Sequence, residues 1–208
     1  MSILKIIEYG DPVLREPCKE VHKISKKIKT LVTDMLDTMY KANGVGLAAP
    51  QVGESLRIFV VDVSDPKGPI DPIVFINPKI IKKSGAINSY EGCLSFPQAY
   101  TDVRRYANVM VKALDINGRP FIKEAKDGEL LARAIQHEFD HLDGKLFIDH
   151  CRNRFNANEV LKKYNLPPVE EDKLIDEDIL EDEIVKYEME HPEVVEQRRK
   201  EQQEDEKN

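Results

Sequence analysis

The sequence contains no tryptophan, only three cysteines, and nowhere a run of 18 apolar residues. The missing apolar run argues against a membrane-spanning helix. Met1 to Asp11 also lacks the basic region followed by an apolar stretch that marks a secretory signal. Cysteines at positions 18, 93 and 151 are an odd number and build no disulfide framework, so a reducing compartment, the cytoplasm, is expected. No internal repeat is present, which removes solenoid and propeller architectures. Phosphate-binding signatures are missing too. The stretch from Gly44 to Gly53 lacks the Gly-Lys-Ser/Thr ending of a P-loop, fails the Gly-x-Gly-x-x-Gly spacing, and has no strand before it.

What is present suits one domain with an appendage: 208 residues, 41% hydrophobic and 33% charged. The net charge of −7 is unevenly spread. Through Asn165, 25 Lys and Arg face 21 Asp and Glu, a balance of +4, whereas the last 43 residues hold 6 against 17, a balance of −11. The acidity therefore belongs to the C-terminal segment and says nothing about the substrate. A globular unit over residues 1–165 and an acidic extension over 166–208, mobile or partly helical, is the expected organisation.

Along the chain, Gly10-Asp11-Pro12 reads as a turn or the start of a short helix. Ser25 is placed to cap a helix whose apolar face is Ile28, Leu31, Val32, Met35, Leu36 and Met39, ending at Asn43-Gly44. The Gly44 to Gly53 stretch is too rich in glycine and small side chains to read as a core element. Its glycines permit a close backbone approach, and Gln51 is either an amide donor held in that loop or a surface side chain. Strands are expected at Arg57 to Val63, Ile73 to Ile76 and Lys79 to Tyr90, with a loop over Ser64 to Pro72. A hairpin of Arg105 to Asp115 with Pro120 to Ala125 turns at Asn117-Gly118. A short helix reaches Tyr164, and Leu166-Pro167-Pro168 closes the globular part.

Chemistry concentrates in Gln136-His137-Glu138-Phe139-Asp140-His141, within a helix expected from Glu129 to Gly144. His137 and His141 are four residues apart, so on a helix they project from one face and can share a divalent metal. Glu138 lies beside the first of them, within reach of a water on that metal. The alternative is a solvated helix whose histidines and acids are ordinary surface residues. Cys93, in Glu91-Gly92-Cys93-Leu94-Ser95, would elsewhere read as a small buried hydrophobe. About 45 residues upstream of a two-histidine helix, it reads better as a third ligand, and two imidazoles with one thiolate leave a coordination position open.

Three motifs in order, Gly44-Val45-Gly46-Leu47-Ala48-Ala49-x-Gln51, Glu91-Gly92-Cys93-Leu94-Ser95 and Gln136-His137-Glu138-x-Asp140-His141, closely resemble those of peptide deformylases of the bacterial type. The resemblance runs from about Ile3 to Tyr164, and the acidic extension departs from it. It implies an α+β fold, with antiparallel β-sheets packed around a central metal-binding helix and with N-terminal and C-terminal helices. It implies hydrolysis of the N-formyl group from the formylmethionine of new polypeptides, releasing formate. Cys93, His137 and His141 become the metal ligands, Glu138 the acid/base, and Gln51 with the Leu94 main-chain N–H the oxyanion donors. Fe(II) is the implied metal, with Zn, Ni or Co able to replace it.

The resemblance also implies that substrate lies as an added strand along Val45, Gly46 and Leu47. Leu130 and Ala134, on the face of His137, are expected to line an apolar pocket for the methionine side chain. Arg133 is either its rim or a surface residue. Glu91, Asp140 and Arg105 are expected to orient the ligands, though their pairing cannot be read from sequence. The expected partners are formylmethionyl nascent peptides and the ribosome exit region, approached through Lys23, Lys26, Lys27 and Lys29, with no membrane and no specific nucleic-acid binding. Two other classes carry some of the same features. A zinc metallopeptidase shares His-Glu-x-x-His but takes its third ligand downstream, and a metal-binding or redox-sensing module needs neither Glu138 nor Gln51.

Overall fold

Ser25 accepts a hydrogen bond from the Ile28 main-chain N–H at 3.4 Å and opens helix α1, Lys26–Lys41, in the computed structural model of the chain. The model describes residues 2–151 and 153–175, with six further positions between 189 and 200. Ile28, Val32, Met35 and Met39 are buried along one stripe of α1, as their spacing predicts. They pack against Leu47, Ile58, Val60 and Ile76.

The strands form one five-stranded antiparallel sheet in sequence order: β1 (Gly46–Ala48), β2 (Ile58–Val61), β3 (Ile73–Cys93), β4 (Phe96–Leu114) and β5 (Pro120–Ala125). The glycine-rich stretch is therefore a core element after all. Leu47, Ala48 and Ala49 are fully buried, and β1 pairs with β2 through Leu47 opposite Val60. Small side chains there signal close packing, not a loop. The expected strands at Ile73 and Lys79 are one strand, with register shifts near Ile76/Lys79 and Ile80/Lys82 and a third at Gly92/Cys93. β4 begins at Phe96, nine residues before the expected hairpin strand, because Phe96 to Arg104 pairs with the far end of β3. The turn between β4 and β5 falls where Asn117-Gly118 places it, with Gly118 at φ 79°.

Helix α2, Leu130–Leu142, lies against β1, β2 and β4 with ten of its side chains buried. Gln136 fixes it to β4: its Oε1 accepts from the Tyr106 N–H at 2.9 Å and its Nε2 donates to the Tyr106 carbonyl at 2.8 Å. The helix ends where Gly144, at φ 69°, lets the chain pass Arg15, whose carbonyl oxygen would lie 2.4 Å from any β-carbon at 144. After a buried turn at Phe147–His150, helix α3, Arg154–Lys163, packs on β4.

The chain then continues along the body. Val169 is buried, Arg15 Nε donates to Glu170 at 3.0 Å, and the Ile175 N–H donates to the Asp149 carbonyl. The expected mobile or partly helical character of the acidic extension falls mostly on positions outside the described residues. Among the described residues no helix is long and apolar enough to cross a membrane.

Candidate active site

α2 is not a solvated helix: His137, Glu138 and His141 are all buried, and His141 is 1% exposed. The two rings sit one turn apart with centroids at 5.3 Å. Cys93 ends β3, where the two-residue turn Leu94-Ser95 folds the chain back so that Cys93 faces Phe96 across the hairpin. That turn carries the thiol to α2, with Sγ 3.3 Å from His141 Nε2. One donor atom from each of Cys93, His137 and His141 lies within 4.8 Å of the others. A tetrahedral ion with bonds of about 2.0–2.3 Å spaces its donors roughly 3.3–3.8 Å apart, so the donor set fits a single cation after small adjustments.

A buried chain of charges orients this set. His137 Nδ1 lies 3.0 Å from Glu91 Oε2, and Arg105 grips both Glu91 oxygens, at 3.0 and 2.9 Å. Arg105 also bonds Asp140 Oδ2, and His150 Nε2 lies 3.0 Å from that same oxygen. Burial alone would raise the Glu91 carboxyl. The Arg105 charge and the hydrogen bonds from His137 and Arg105 outweigh it and hold Glu91 well below the usual carboxylate range. An ionised carboxylate only accepts, so His137 donates from Nδ1 and keeps Nε2 free for a metal. Sequence supplied Glu91, Asp140 and Arg105; the fold supplies their pairing.

Glu138 is placed differently. Its Oε1 fills the space beside Gly46, where a β-carbon would lie 2.3 Å away, and its buried Oε2 has no hydrogen-bond partner among the described residues. Burial pushes this carboxyl up to about 7, with the nearby Glu91 adding to the rise and His137 opposing it. Gln51 is 1% exposed, in a short helical turn directly after β1. Its Oε1 accepts from the Ala48 N–H at 2.8 Å, which turns its NH2 group toward Cys93 Sγ at 3.3 Å and Ser95 Oγ at 3.2 Å.

These groups face a cavity of about 670 Å³ whose lining includes Gly44, Val45, Gly46, Gln51, Leu94, Leu130, Arg133 and Ala134. Leu47 does not line it; its side chain is buried in the cluster that includes the α1 stripe. Sequence reasoning missed Tyr90, Tyr100, Pro97 and Gln98, which also line the cavity. The signal was the alternation of β3 and its pairing with the unrecognised first half of β4.

Residues 3–156 match the family pattern of polypeptide deformylases. The chain belongs to the polypeptide deformylase family. It is 51% identical over 150 residues to peptide deformylase 1 of Clostridium perfringens, covering 72% of this chain and 99% of that protein. Against the peptide deformylase of Clostridium botulinum it is 52% identical over 154 residues, 74% of this chain and all of the other. The crystal structure of a peptide deformylase from Synechococcus elongatus in complex with actinonin superposes with a TM-score of 0.74 at 45% identity, covering 80% of this chain and 92% of that one. Every residue lining the cavity falls inside the span that matches the deformylase family.

Proposed function

We propose that Cys93, His137 and His141 hold one divalent metal in this deformylase, and that Glu138, Gln51 and Leu94 carry out the chemistry beside it. Family membership makes the chain a metal-dependent hydrolase that removes the N-formyl group from new polypeptides. The observation that carries the assignment is the meeting of one thiol and two imidazoles in one donor set, beside a Glu138 Oε2 without a hydrogen-bond partner among the described residues, at a cavity that Cys93, His137 and Glu138 line. The donor types suit Fe, Zn, Ni and Co alike, and Fe(II) is the native metal that the resemblance implies. When bound, such a metal polarises the formyl carbonyl and makes water a stronger acid near neutral pH.

The chain's own groups do the rest. Glu138 takes a proton from the attacking water and returns it to the departing amine nitrogen; a carboxyl raised to about 7 suits both transfers. Gln51, its amide orientation locked by the Ala48 N–H, donates from Nε2 to the developing oxyanion. The Leu94 main-chain N–H is the second donor.

Substrate is captured as an added strand on β1, whose other edge is taken by β2. Val45, Gly46 and the Leu47 main chain offer the edge, and the methionine side chain enters between Leu130, Ala134 and Arg133. Residues 1–165 are the catalytic unit on this reading, and residues 166–208 are an extension strapped on through Val169, Glu170 and Ile175. Work is placed in the cytoplasm near the ribosome exit, with the exposed Lys23, Lys26, Lys27 and Lys29 facing its phosphates. Assaying formyl-Met, acetyl-Met and unblocked Met peptides side by side tests the function. Release of formate from the first with no acetate from the second supports it, and cleavage of an internal peptide bond would replace it with a metallopeptidase.

A further inference from the structure

Resting on the reading above, we propose that Tyr90 and Tyr100 form a fixed aromatic platform that receives the side chain of the substrate's second residue and favours an aromatic group there. The two rings are stacked, with centroids 5.7 Å apart and planes 18° from parallel. Both line the mouth of the cavity, and Tyr100 is 40% exposed. Tyr100 is held from below as well. It pairs with Gly92 across the β3–β4 ladder, and a β-carbon at Gly92 would lie 2.5 Å from its ring, so the ring occupies the space that a side chain at Gly92 would fill. An exposed aromatic face fixed by a stacked partner and a backbone loses little rotamer freedom when something packs on it.

Strand alternation decides which side chain it meets. Side chains at Tyr90 and Gly92 point to one face of β3, and Glu91, between them, points to the other. Glu91 faces α2, where it meets His137. The platform therefore stands on the face away from α2. A peptide lying between the β1 edge and the Gly92 turn sends its first side chain toward α2, into the space beside Leu130 and Ala134. Its second side chain goes to the opposite face, where Tyr100 lies.

The test compares kcat/KM for formyl-Met-Phe-Ala and formyl-Met-Ala-Ala with the metal-loaded full chain. Stacking of one more ring gives the Phe peptide an advantage of about threefold to tenfold over the Ala peptide. That advantage is carried by KM, because the contact is the same in ground and transition states. Tyr100→Ala brings the Phe/Ala ratio to about one, Tyr90→Ala lowers it through the loosened stack, and Tyr100→Phe preserves it. A wild-type ratio of one, a ratio unchanged by Tyr100→Ala, or a Tyr100→Phe variant that behaves like Tyr100→Ala would overturn the platform and leave the deformylase reading standing. Failure of the wild-type chain to release formate from either peptide would sink that reading and the platform with it.

Discussion

The carboxylate of Glu138 occupies the volume that a side chain at Gly46 would need: a β-carbon there would lie 2.3 Å from Oε1 and 2.8 Å from Cδ. Gly46 does not stand at a positive φ, so Ala is conformationally acceptable at this position. The substitution instead pushes the carboxylate out of its place beside the donor triad. Gly46→Ala is expected to lower kcat by about 10²-fold or more, the usual contribution of a positioned acid/base. Glu138→Ala should lower it at least as far. Both variants keep one metal per chain, since neither residue is a donor, and elemental analysis beside steady-state kinetics checks this. Loss of metal in step with activity would show that Glu138 holds the ion and does not only move protons.

How much of this was legible in the sequence depended on whether the signal was local. The i,i+4 histidines, the Ser25 cap and the α1 stripe depend on spacing within one element, and the fold reproduces them. Non-local pairing was not legible. β4 was expected to start at Arg105 because Pro97, Gln98 and Asp102 dilute the strand pattern, yet the ladder with β3 carries it back to Phe96. The same blind spot hid the Tyr90–Tyr100 stack and the partners of Arg105. Gly44 to Gly53 misled for a different reason. Small residues mark close packing in a buried edge strand as readily as they mark a loop, and the non-local contacts that distinguish the two, the pairing with β2 and the Glu138 carboxylate beside Gly46, are not written in the stretch itself.

Metal removal should change the chemistry of one thiol out of three. Cys18 is buried, and burial pushes its thiol up to about 11, with Arg57 only partly opposing the rise. Cys151 is also raised, first by burial. Thiolate is the reactive form, so neither reacts readily near pH 7.5. Cys93 lines the open cavity, and a bound cation blocks its sulfur. Mass spectrometry after brief alkylation should find Cys93 protected in the metal-loaded protein and labelled after chelation, with Cys18 silent in both. Equal labelling of Cys93 with and without metal would remove it from the ligand set.

Arg105 neutralises Glu91 and Asp140 in a region where its own side chain is 2% exposed. Removing it leaves two buried carboxylates without their cation. Breaking a buried pair of this kind typically costs about 3–5 kcal/mol. Arg105→Ala should therefore lower the melting temperature markedly, and Arg105→Lys should recover only part of the loss, because a point charge cannot bond both Glu91 oxygens and Asp140 at once. A melting temperature unchanged in Arg105→Ala would mean that the network carries no net stability.

The acidic extension should divide at Ile175. Up to that residue the chain is fastened. Tyr9 donates its hydroxyl to the Pro168 carbonyl at 3.1 Å, Val169 is buried among Tyr9, Leu14 and Phe147, and the Ile175 N–H reaches the Asp149 carbonyl. Asp149 is itself held by two bonds from Arg15 and caps the Leu146 N–H, one turn from the ring that packs at 5.7 Å on His137. Deleting 176–208 leaves all of these contacts in place, so kcat/KM for a formyl-Met tripeptide should stay within about twofold of the full chain. Deleting from Glu170 removes the Arg15–Glu170 pair and the Ile175 bond. Because Glu170 is 40% exposed, the pair itself contributes no more than about 1 kcal/mol, and the net hydrogen bond adds roughly as much. The shorter chain should thus melt a few degrees lower and still turn over substrate. A collapse of activity on removing 176–208 alone would place that segment in the working site, contrary to a cavity lined wholly by residues 6–138.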